Sequence, residues 1–184
     1  MTSVVLKLAC VLLYAVFASA EVTPMPDFDL EKMGGKWYLI GFATNAEWFV
    51  SRKADMKMGT AMIVPTEDGD LDISHSTLNE DGTCWRMNIL AKKTETPGRF
   101  VFHNQRWDND NDMRVVEASY DEYAIVYNIK TKDDVSDVLN KLYSRNTTVT
   151  EELTEKFRTF SKDTGILEEN IAILPSNGEC TNEA

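Results

Sequence analysis

The sequence predicts an all-β fold, an antiparallel sandwich or barrel, and three observations predict it. Between Lys36 and about Tyr143 the chain runs in short stretches rich in Val, Ile, Phe and Tyr. Turn-forming clusters interrupt them every ten to sixteen residues, as in small antiparallel β domains. Several stretches alternate apolar and polar residues with period two, the mark of a half-buried strand.

The first residues stand outside that pattern. Lys7 is the only charge among residues 1–20, and residues 8–17 (LACVLLYAVF) form an apolar run ahead of Ala18-Ser19-Ala20. Such a run is too short to span a bilayer, and small residues follow it at the spacing a signal peptidase reads. Residues 1–20 are therefore expected to be a secretory signal, and 21–184 a single extracellular domain. No other long apolar stretch exists, so the mature chain is not expected to insert into a membrane. Of three cysteines, cleavage removes Cys10 and leaves Cys84 with Cys180. In an oxidising compartment this pair forms one disulfide. Closing a loop of roughly a hundred residues is worth about 4–5 kcal/mol on the chain-entropy account.

The net charge is −11, and losing Lys7 makes it −12. Nucleic acid and anionic membrane surfaces need clustered Lys and Arg, so both are excluded as partners.

Residues 21–33 read as an extended, proline-punctuated lead-in. Breaks fall at residues 66–69, 80–82, 96–98, 108–112, 121–122 and 130–134, giving about eight strands. Leu71, Ile73, His75 and Thr77 share one strand face; Trp85, Met87 and Ile89 share another, and Phe100 and Phe102 a third. His75 thereby points inward, while His103 lies on an outer, solvated face. Residues 108–112 (DNDND) have the acidity of a calcium loop, but no glycine stands sixth and Ser119 occupies the place of the bidentate glutamate. An acidic hairpin turn is expected there, and no metal or cofactor. Asn146-Thr147-Thr148 is a glycosylation sequon.

One segment carries helical spacing. Thr150 can cap a helix whose first turn holds Glu151 and Glu152. Leu153, Phe157 and Phe160 then form one apolar stripe, and Gly165 offers a stop. A short strand over residues 171–174 ends at Pro175.

Two of these stretches resemble blocks of the lipocalin family. Gly35-Lys36-Trp37-Tyr38 matches its Gly-x-Trp signature, and Leu142-Tyr143-Ser144-Arg145 matches its third block. The middle block aligns with Ala118-Ser119-Tyr120, where only the tyrosine survives. The resemblance spans residues 21–184. It implies an eight-stranded up-and-down barrel with one α-helix outside and a short final strand, Trp37 sealing the floor and Arg145 packed across it. An arginine over an indole face contributes roughly 0.5–2 kcal/mol.

The barrel interior then suits one small hydrophobic ligand, such as a retinoid, fatty acid, bilin or prostanoid. Met58, Ile63, Ile73, Trp85, Met87, Ile89, Phe102 and Val126 are expected to line it, with Tyr143 and His75 as polar contacts. Trp48, Arg106 and Trp107, with Arg52 and Lys53 nearby, fall at the open end. Positive groups there favour a ligand with an acidic head. A monomer is expected, with a cell-surface receptor as a conceivable further partner.

Residues 43–48, 120–124, 142–145, 155–157 and 174–175 are most similar to the branch of the family that isomerises prostaglandin H2. That branch uses a cysteine thiolate on the second strand. Gly59 stands at its place here, and the supporting hydroxyl positions hold Leu39, Ala61 and His75. Endoperoxide isomerisation needs a nucleophile, best supplied by a thiolate. The sequence therefore reads as a carrier with no assignable catalytic residue; the alternative is the isomerase acting by a route without that cysteine.

Overall fold

The computed structural model describes residues 21–180. The run read as a secretory signal lies outside the described residues. Eight strands follow one another: β1 (Gly35–Ala43), β2 (Gly59–Pro65), β3 (Leu71–Leu78), β4 (Cys84–Lys93), β5 (Arg99–Asn104), β6 (Asn109–Ser119), β7 (Tyr123–Lys132) and β8 (Val135–Ser144). Each pairs antiparallel with the next, and β1 pairs with both β2 and β8, so the sheet closes into a barrel rather than a sandwich. β9 (Ile171–Ile173) pairs with Gly41, Phe42 and Ala43, the stretch of β1 that β2 leaves free.

Alternation assigns the faces. Trp37, Ala61, Ile63, Leu71, Ile73, Ile89, Ala91, Phe100, Met113 and Val115 pack together inside. A register shift between Leu39 and Gly41 places Ile40 and Gly41 both on the outer side of β1. This outer face, with Ile125 and Leu142, is covered by helix α2 (Glu151–Asp163). The Thr150 hydroxyl accepts from the Leu153 amide at 3.2 Å, and Phe157 is fully buried. A β-carbon on Gly41 would stand 2.7 Å from the Phe157 ring, so helix and barrel meet there only because residue 41 has none. On the same face the Asn140 amide donates to the hydroxyls of Ser161 and Thr164.

Residues 108–112 correct the turn expected from their acidity. β6 begins at Asn109, and the sequence DNDND is strand from its second residue. Asn109 and Asn111 are buried inside, whereas Asp110 and Asp112 face out to His103, Arg99 and Arg114. Asparagine can be buried when hydrogen-bonded, and aspartate stays on the wet face, so period two decides against composition.

The floor is built by the lead-in. The Trp37 indole N–H donates to the Met33 carbonyl at 2.9 Å, and the Phe28 ring stands edge-on to Phe100 at 5.6 Å. The Arg145 guanidinium lies 3.6 Å from the Trp37 ring centroid and donates to the carbonyls of Tyr120, Lys36, Lys32 and Gly34. Gly35, at φ +94°, lets the strand begin against Arg145. The Cys84–Cys180 disulfide ties the C-terminal tail to the start of β4.

Candidate functional site

The open end lies opposite the floor. Between β1 and β2 the chain makes helix α1 (Glu47–Val50), which carries Phe49, fully buried against Phe42, Leu139 and Leu174. Phe42 points into the barrel, and its ring centroid is 5.1 Å from that of Phe49. Together they form an aromatic cap over the interior. Beside it, Trp48 is 41% exposed beneath the Lys130 ammonium, and Trp85 stacks on Trp107 at 6.2 Å. The Arg106 guanidinium lies over Trp107 on the outside.

Below the mouth is a polar layer. The Asn111 amide donates to the Asn109 side-chain oxygen (2.7 Å), and Asn128 donates to Asn111 (3.0 Å). Under that layer sits an enclosed cavity. Ile63 on β2, Ile73 and His75 on β3, Ile89 on β4, Phe102 on β5, Val126 on β7 and Tyr143 on β8 all line it. Lys141 on β8 lines it as well.

The remaining residues expected in the interior sit elsewhere. Met58 is buried on the outer side, in the cluster beneath α2, because it precedes the first paired residue of β2. Met87 packs against the inner cluster beside its cross-strand partner His75 and accepts from the Asn104 amide. Trp48, Trp85, Arg106 and Trp107 belong to the mouth. Lys53 does not project freely, since its ammonium donates to the Glu169 carbonyl.

The cavity has a volume of about 20 Å³, room for little more than one water. Ligand sites run to several hundred Å³, so occupancy requires side chains to withdraw. Met33 and Met113 line it, and unbranched methionine repacks easily. A larger groove of about 520 Å³ lies along β5, β6 and β7, rimmed by Lys92, Asp110 and Asp112, and it is open to solvent.

The electrostatics of the cavity come from Lys141, which the strand pattern did not reveal. Burial pushes its ammonium down to about 8. Burial and the facing Lys141 charge push His75 down to about 3, so the ring is neutral. The buried Tyr143 phenol is pushed up and keeps its proton. Neutral imidazole and protonated phenol each offer a donor.

Gly59 also faces inward, opposite Leu39. A β-carbon there would stand 2.5 Å from the Thr77 hydroxyl and 2.8 Å from the Ser76 carbonyl. The two described cysteines, Cys84 and Cys180, are both in the disulfide. Among the described residues, no group of three or more His, Cys, Asp or Glu is placed to hold a metal, and no helix is long and apolar enough to cross a membrane.

A closed eight-stranded barrel with an external helix and an interior cavity is the architecture of a small-ligand carrier, and the chain belongs to the lipocalin / cytosolic fatty-acid binding protein family, whose profile matches residues 34–178. It is 40% identical over 183 residues to a lipocalin of Rhinella marina, covering the full length of both chains. It is 34% identical over 167 residues to the prostaglandin-H2 D-isomerase of Felis catus, covering 90% of this chain and 87% of that protein. Among solved structures, the siderocalin Ex-FABP, described as having dual ligand specificities, superposes with a TM-score of 0.70 at 27% identity, over 82% of this chain and 99% of that one.

Proposed function

We propose that the protein is a secreted lipocalin that takes a small hydrophobic ligand, such as a retinoid, fatty acid, bilin or prostanoid, into the barrel and carries it. The observation that carries this reading is the enclosed cavity, walled by Ile63, Ile73, Ile89 and Phe102 and capped by Phe42 and Phe49. Burying a ligand's apolar surface there is favourable at about 25 cal/mol per Å². Tryptophan fluorescence tests it. Trp48, Trp85 and Trp107 ring the mouth, so retinoic acid, bilirubin or a fatty acid entering the barrel changes their emission saturably; no response to any apolar ligand in a broad panel would overturn the reading.

Removal of residues 1–20, a glycan on the exposed Asn146 and a monomeric state complete the proposal. An N-glycosidase mass shift and sedimentation of the secreted protein check the last two. The isomerase reading is supported by the 34% identity to prostaglandin-H2 D-isomerase, but among the described residues it lacks a thiol in the barrel. Gly59 offers no thiol, and the disulfide commits Cys84 and Cys180. Incubation with prostaglandin H2 tests it directly, and no heat-sensitive turnover above the uncatalysed rate is expected.

A further inference from the structure

Lys141 is a charge that the fold does not use. Its cross-strand partners are Phe42 on β1 and Val126 on β7, both inward-facing, so its side chain enters the barrel. There it lines the same cavity as His75 and Tyr143. Among the described residues, its ammonium has no hydrogen-bond or carboxylate partner, and neither the His75 ring nor the Tyr143 hydroxyl has a hydrogen-bond partner. The inner carboxylates do not relieve it: Asp137, two register steps along β8, stands opposite Lys130 nearer the mouth. By contrast, the cations near the mouth are engaged, Lys130 over Trp48, Arg106 over Trp107 and Lys53 on a carbonyl.

An unpaired ammonium in an apolar cavity is costly to fold even after the surroundings relax, and a counter-charge brought by a ligand recovers that cost. We infer that Lys141, His75 and Tyr143 form the head-group subsite of the barrel, which takes a carboxylate-headed ligand head-inward. One carboxylate oxygen pairs with the Lys141 ammonium, while the Tyr143 hydroxyl and the His75 ring N–H donate to the carboxylate. The apolar tail then runs up past Ile89 and Phe102 towards the aromatic cap. A single positive charge flanked by two neutral donors matches a monoanionic carboxylate. This inference rests on the carrier reading and adds the ligand's head chemistry and its direction in the barrel.

The test is titration of the full mature protein with cis-parinaric acid and with its methyl ester, which shares the tail and lacks the charge. Hydrogen bonds to a charged group are worth about 1.5–3 kcal/mol, so the acid is expected to bind about ten- to hundredfold more tightly. Lys141→Met removes most of the preference for acid over ester, the acid losing more affinity than the ester. Tyr143→Phe, which removes one donor and keeps the ring, weakens the acid more than the ester, since hydrogen bonds to the charged group are the stronger. Equal affinities for acid and ester in the unaltered protein would overturn the subsite while leaving the carrier reading in place. So would an acid preference that survives Lys141→Met and disappears in Arg106→Gln, which would put the head at the mouth. Binding of neither probe would overturn the subsite, and the carrier reading falls with it only when retinoids, bilins and prostanoids also fail to bind.

Discussion

Gly59 and Thr77 face each other across β2 and β3 at a distance that leaves no room for a β-carbon, since an atom there would stand 2.5 Å from the Thr77 hydroxyl and 2.8 Å from the Ser76 carbonyl. The hydroxyl can rotate away, but the carbonyl belongs to the sheet. Any side chain at 59 must therefore displace backbone, and overpacking of this kind costs about 1–3 kcal/mol. Gly59→Cys is expected to lower the unfolding free energy by that amount in urea and to confer no turnover of prostaglandin H2. Turnover by this variant would show that the local backbone yields and that a thiol is all the site lacks.

The floor makes a second prediction. Arg145 combines the 3.6 Å approach to the Trp37 ring with hydrogen bonds to four carbonyls. Arg145→Ala leaves those carbonyls to solvent or unpaired and opens one face of a fully buried indole, a loss of about 2–4 kcal/mol. Arg145→Lys keeps the charge but not the planar fork and recovers only part of it. Urea denaturation of the two variants gives the order directly.

How much of this was legible in the sequence depended on whether one face of each strand is wet. On β3, His75 alternates with Ser74 and Ser76 beside Ile73, so its inward direction follows from period two. The helix at Thr150, the disulfide and the Trp37–Arg145 floor were legible for similar reasons: a cap, a cysteine count and a motif. β8 was not. Leu139, Lys141 and Tyr143 alternate with Asn140, Leu142 and Ser144, and both sets mix apolar with polar residues because α2 covers the outer face. Period two alone cannot say which set is inside. The inward expectation for Tyr143 comes with the family resemblance, and it does not carry two residues back to Lys141 because a lysine reads by default as solvated. The DNDND segment failed in the opposite way, as its composition suggested a turn while its alternation was already that of a strand.

Acid stability should report on His75. Its folded value is about 3 against an ordinary 6.5. Between these pH values the unfolded chain binds a proton that the native chain does not, so stability rises with pH through the window, by at most about 1.4 kcal/mol per unit, and the effect is complete above 6.5. Lys141, at about 8 against 10.5, adds a second rise between those values. In His75→Leu the slope between pH 3 and 6.5 is expected to flatten relative to the unaltered protein, as measured by denaturation at each pH. An unchanged slope would mean that the ring is wetter than its place in the cavity implies.

Phe49 is predicted to control entry. It is fully buried under the mouth against Phe42, and a ligand larger than the 20 Å³ cavity must displace this cap or the side chains below it. Phe49→Ala is expected to cost about 3–5 kcal/mol of stability and to raise the association rate of cis-parinaric acid in stopped-flow mixing. A rate unchanged by the truncation would place the entry route elsewhere.

The carrier account is tested most directly by native mass spectrometry of the protein purified from its natural source. The account predicts a one-to-one complex that releases a small apolar molecule bearing a carboxylate. Ligand-free protein that also fails to take up any retinoid, fatty acid, bilin or prostanoid offered to it would contradict it.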